Sequence, residues 1–66
     1  MYPNLVVRRV EKRTTLRDFM KNLGEEYLYA FDRGVLGVMV NDRAVFPEAE
    51  LKVGDRVVVF PVVAGG

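Results

Sequence analysis

Apolar positions along the chain change period several times, and each change marks an element. Leu5 to Val10, Leu-Val-Val-Arg-Arg-Val, is rich in β-branched residues and predicts a strand. Glu11-Lys12-Arg13 is a polar connection. Thr15 then has the chemistry of a helix N-cap, with Asp18 three positions on in a capping-box pattern. Leu16, Phe19, Met20 and Leu23 follow at i, i+3, i+4 and i+7, one apolar stripe on an amphipathic helix. Gly24 stands where a left-handed C-cap residue would end it. Between Glu25 and Arg33 two readings stay open: Tyr27, Leu28 and Phe31 either continue a helical face or form a short second turn, closed by Gly34.

Val35 to Val40 reads as a second strand, and Asn41-Asp42-Arg43 as a tight turn in which Asn or Asp can take positive φ. Ala44-Val45-Phe46 is a short return strand ended by Pro47. Glu48 to Val53 is a polar connection with Leu51 as its buried anchor, Gly54-Asp55 a turn, and Arg56 to Val63 the last strand. One helix covers only one face of such a sheet. Side chains alternate along the last strand, so Val57, Val59 and Pro61 share one side, and Val58, Phe60 and Val62 the other. Both sets are apolar. Either loops shield the second face, or Val58, Phe60 and Val62, beside Met39, form an exposed patch that docks a partner protein. The short chain leaves little to cover a second face, which favours the patch.

Composition narrows the function. The chain has 66 residues, enough for one domain spanning 1–66 and too few for a deep substrate pocket as well as a core. It has no Cys, His or Ser. That removes a thiol nucleophile, the commonest general base and metal ligand, and any serine triad. Neither catalytic nor metal-binding residues are therefore assigned. The acids Glu25, Glu26, Asp42, Glu48 and Glu50 read as solvated charges. Ten basic and nine acidic residues leave a net charge of +1, so no nucleic-acid partner is implied. Arg8, Arg9, Lys12, Arg13 and Arg17 form a basic cluster interrupted by Glu11 and Asp18. It reads as a solvated face that could also meet an acidic protein. No apolar run approaches the roughly 18 residues of a membrane helix. The N-terminus lacks a signal pattern, so the expectation is a cytoplasmic protein without a membrane partner.

The remaining reactive group is the C-terminal carboxylate after Ala64-Gly65-Gly66. Gly65 and Gly66 have no Cβ atoms, so this end can thread a narrow channel into another protein's active site. A terminal glycyl carboxylate, once activated, offers little hindrance to a nucleophile.

The sequence resembles the MoaD/ThiS family of ubiquitin-like sulfur carriers. The resemblance runs through Thr15-Leu16-Arg17-Asp18-Phe19, Val38-Met39-Val40-Asn41, Leu51-Lys52-Val53-Gly54-Asp55-Arg56-Val57 and the closing Phe60-Pro61-Val62-Val63-Ala64-Gly65-Gly66. It implies an α+β, β-grasp fold: a mixed sheet with one main helix packed on one face. Only 14 residues precede Thr15, so the N-terminal hairpin is expected to be shortened.

The resemblance also implies a non-enzymatic carrier that binds no cofactor itself. A ubiquitin-activating-like adenylyltransferase would use ATP to adenylate Gly66, with Gly65 and Ala64 threading the tail. A desulfurase or rhodanese-type donor would supply sulfur to form a thiocarboxylate. The acceptor would be the large subunit of molybdopterin synthase or, alternatively, a thiazole synthase of thiamine biosynthesis. Phe60, Val58, Val62 and Met39 would hold the partners. Conjugation of Gly66 to lysine, as in ubiquitin-like protein modifiers, is a further alternative.

Overall fold

The computed structural model describes residues 5–62. Strand β1 (Val6–Arg9) leads to a two-residue strand, β2 (Thr14–Thr15), and directly into helix α1 (Leu16–Leu23). Helix α2 (Glu25–Asp32) follows, then β3 (Leu36–Val40), β4 (Arg43–Ala44), β5 (Glu50–Leu51) and β6 (Arg56–Pro61). Four strands form a sheet in the order β1-β6-β3-β4, and β2 pairs separately with β5. The α+β class and β-grasp arrangement stand, with two corrections.

Every ladder among the described residues is antiparallel, so the sheet is not mixed. Among the described residues, β1 is the strand before the helix that joins this sheet, and it runs antiparallel to β6. The second correction is that α2 is a full eight-residue helix, so two helices serve the core.

Local chemistry accounts for these elements. The Thr15 hydroxyl accepts a hydrogen bond from the Asp18 N–H at 3.2 Å, capping α1 as its sequence predicts. Its first-turn amides at Leu16 and Arg17 donate to the carbonyls of Ala49 and Pro47, both at 2.9 Å, so the 47–49 loop completes the cap. Gly24 separates the helices at φ 150° and ψ 150°, a positive-φ conformation outside the left-handed helical region expected of it. Only glycine enters that region readily. Arg17 then bridges to both oxygens of Asp32 at 2.6 and 3.1 Å, tying the start of α1 to the end of α2. The pair is exposed and contributes little to stability.

The core lies between the helices and one sheet face. Leu16 and Met20 of α1 and Ala30 of α2 pack with Leu36, Val38 and Val40 of β3 and Val57 and Val59 of β6. Val10 and Leu51 complete the cluster. Leu51 is 1% exposed, which bears out its reading as an anchor, although the supposed polar connection around it contains β5. The return strand is shorter than expected, because Val45 and Phe46 leave the ladder after Ala44.

Pro61 sits in a central strand without breaking it. Asn41 N donates to Arg56 O, and Val62 N donates to Val35 O, which fixes the alternation of the β3–β6 ladder. That alternation places Pro61, opposite Leu36, in a non-hydrogen-bonded pair. Its ring nitrogen therefore faces the β1 side, beyond the last β1–β6 partner, Val6↔Val59. The missing amide hydrogen therefore costs no bond in the β3–β6 ladder.

Candidate functional site

The face of β6 opposite the core is built by alternation. Val57 and Val59 are 0% and 1% exposed, which sends Val58, Phe60 and Val62 to the outer side. The registers carry the same row across the sheet. Val7, Val58, Met39 and Ala44 lie side by side on four strands. Val58, Phe60 and Met39 are half-buried against their neighbours. Val7 and Val62 are 46% and 49% exposed, so the surface is contiguous, apolar and open to solvent at its margins. Three of the expected patch residues, Phe60, Val58 and Met39, are thus brought together, and Val62 follows on at the end of β6.

Two residues join them that the sequence does not single out. Val7 is one, because the register of β1 on β6 is invisible in a six-residue strand signal. Gly37 is the other. It pairs directly with Phe60, whose ring lies across it. A Cβ on Gly37 would meet the ring's Cζ at 2.5 Å and its Cε2 closer still. The glycine therefore provides a flat seat for the aromatic ring, a cross-strand arrangement in which the ring covers bare backbone.

A polar rim closes one end of the patch. Arg56 continues the outer row of β6 and pairs with Asp42 at 2.7 Å, with Arg9 opposite it on β1. Asn41 and Asp42 form the two-residue β3–β4 turn with φ of 51° and 68°, the left-handed pair that such a hairpin demands. The Asn41 side chain accepts from Arg56 N–H and donates to Asp55, both at 3.0 Å. The Lys52 N–H, donating at 2.8 Å, and then the Asn41 amide hold the Asp55 carboxyl below its ordinary pKa. This network locks the turn to the start of β6 and so fixes the register that aligns Met39 with Val58.

Nothing in this arrangement resembles an acid–base or metal centre. No three of His, Cys, Asp or Glu converge to hold a metal ion among the described residues. Nor, among those residues, is any helix long and apolar enough to cross a membrane. Gly66, Gly65 and Ala64, the expected reactive end and its threading residues, lie outside the described residues. The site on view is an apolar face on the strand that leads towards them.

Comparison with known proteins adds the family. No curated protein and no solved structure matches the chain. The ThiS family pattern matches residues 4–66, nearly the whole sequence and its final Gly-Gly included. The chain belongs to the ThiS family, the ubiquitin-like sulfur carriers.

Proposed function

We propose that Gly66 is the acyl terminus of this sulfur carrier and that the outer face around Phe60 docks its partners. The single observation that carries the reading is a family match that extends through Gly66. An apolar face on the strand leading to that end supports it. The chain presents its carboxylate, and partner enzymes supply the chemistry.

In the first step the Gly66 carboxylate attacks the α-phosphorus of ATP on the activating adenylyltransferase, and pyrophosphate leaves. A persulfide on a desulfurase or rhodanese-type donor then attacks the acyl carbon, and AMP leaves. A second thiol on an enzyme cleaves the resulting acyl disulfide. That step gives the thiocarboxylate and an oxidised disulfide between the two protein thiols. The thiocarboxylate sulfur finally passes to the acceptor. These steps require ATP and reduced thiols, so the cytoplasm is the compartment this reading requires.

The acceptor we favour is the large subunit of molybdopterin synthase, on the strength of the Phe60-Pro61-Val62 approach to Gly65-Gly66. The second reading is delivery to a thiazole synthase of thiamine biosynthesis, which the same family match supports. Each acceptor, mixed with thiocarboxylated carrier, separates the two: the true one releases carrier with an ordinary carboxylate. Activation itself is tested by ATP–pyrophosphate exchange on the activating enzyme. The full chain supports exchange, and removal of Gly66 abolishes it. Exchange that survives the deletion would defeat the assignment of Gly66.

A further inference from the structure

The second surface with unused binding capacity is the free edge of β1, on the opposite flank of the sheet from β4. Val10 N donates to Asp55 O, and Gly54 N donates to Val10 O, so Val10 faces β6 with both backbone groups. Alternation then turns the N–H and C=O of Arg9 and Val7 away from β6, along an edge that no described strand covers. On the helix side of this edge lies an open groove of about 600 Å³. Phe19 and Leu23 form its apolar floor, Arg8, Arg9 and Lys12 its basic wall, and Glu11 is its lone acid.

Among the described residues, the charges in this wall face no carboxylate partner: Arg8 donates to the Val7 carbonyl at 3.1 Å, and Arg9 to the Gly54 carbonyl at 2.9 Å. Among the described residues, the ion pairs belong to Arg13, Arg17 and Arg56, not to Arg8, Arg9 or Lys12. Arg8 thereby occupies one of the carbonyls that a new strand would use. A carboxylate on an incoming strand would compete for the guanidinium and free that carbonyl.

We propose that the β1 edge takes up an extended acidic segment of a partner protein by strand addition, with two adjacent carboxylates set against Arg8 and Arg9. A second copy of the chain fits poorly. Pairing β1 with itself would bring four guanidinium groups to one seam, and Val6–Arg9 contains no acid. An acidic segment matches the charge, pairs with the free groups of Val7 and Arg9, and lays an apolar side chain on Phe19 and Leu23. This edge adjoins the Phe60 face, whose margin includes Val7 and Arg9, but the backbone groups it offers are distinct from that face's side chains and from the C-terminal chemistry, so the proposal stands or falls independently of the carrier reading.

The test uses the full-length chain and a blocked peptide containing Glu-Glu-Val-Val, the antiparallel complement of Val6–Arg9, with a Lys-Lys-Val-Val peptide as control. Amide hydrogen exchange is followed residue by residue by NMR. The expected result is about tenfold slower exchange at Val7 and Arg9 with the acidic peptide and none with the basic one. The double variant Arg8→Glu, Arg9→Glu, altered only at exposed positions, reverses the preference and takes the Lys-Lys-Val-Val peptide. Three outcomes would overturn the proposal: unchanged exchange at both amides, equal binding of the acidic peptide by the double variant, or protection of those amides by the protein's own concentration alone, which would make a second copy the occupant.

Discussion

Replacing Gly37 by alanine tests whether Phe60 is held in a defined place for a reason. The new Cβ would lie 2.5 Å from Cζ of the ring, about 1 Å inside ordinary carbon–carbon contact. The backbone of two central strands cannot yield, so the ring must swing off the sheet. Full burial of a Phe side chain contributes about 1.5–3 kcal/mol, and this ring is half-buried, so its displacement costs about 1 kcal/mol. Alanine in a strand recovers about 0.5–1 kcal/mol of backbone entropy relative to glycine. Global stability, measured by urea unfolding, should therefore change by less than about 1 kcal/mol. Partner affinity should change more. An aromatic anchor at the centre of an interface contributes about 2 kcal/mol, and misplacing it should weaken binding to the activating enzyme about thirtyfold. The Gly37 α-protons, which lie under the ring, should lose an upfield NMR shift at the same time. Phe60→Ala in the Gly37→Ala background should then add little further loss, because both changes remove one contact. Unshifted Gly37 protons in the unaltered protein, or full affinity in the Gly37→Ala variant, would refute this reasoning.

Further predictions concern stability. Leu51→Ala empties a fully buried position and should cost about 2–5 kcal/mol, read from the urea midpoint; that is a large share of what a domain of this size possesses. Thr15→Ala removes the α1 cap and should cost about 1 kcal/mol, whereas Thr15→Ser should restore most of it. Acid sensitivity has a definite sign. The hydrogen bond and charge of Arg13 hold Glu50 below its ordinary 4.5, and Lys52 N–H and Asn41 hold Asp55 below its ordinary 3.8. Depressed carboxyl groups stabilise the fold above their unfolded values and lose that contribution as pH falls through their lowered folded ones. Stability should thus decline from about pH 4.5 downwards, and Asp55→Asn should flatten part of the decline in a pH series of thermal melts.

Much of this architecture is legible in the chain itself. Thr15, Asp18 and the Leu16–Phe19–Met20–Leu23 stripe specify α1, because the cap and the 3.6-residue period are local signals. Asn41 and Asp42 announce their turn through their tolerance of positive φ. The alternation of Val57 to Val62 separates core from outer face. Other features depend on contacts distant in sequence. The β2–β5 ladder spans two residues on each strand, too few for any period, and its partners are 35 or more positions apart. For α2, Tyr27, Leu28 and Phe31 make a weak stripe that fits either a helix or a short turn, and packing against the core decides for the helix. The antiparallel direction of β1 follows from which end of β6 meets Val10, and Gly37 acquires its role only once Phe60 is placed opposite. The apolar face proposed for docking is therefore partly visible in the sequence: Val58, Phe60, Val62 and Met39 can be read from it, while Val7 and Gly37 require the register.

The central claim is that Gly66 accepts sulfur, and intact-mass analysis tests it most directly. The full-length chain, incubated with its activating enzyme, ATP and a persulfide donor, should gain the mass difference between sulfur and oxygen on its C-terminal peptide. A terminus that keeps an ordinary carboxylate under those conditions, with an enzyme active on another carrier, would contradict the account.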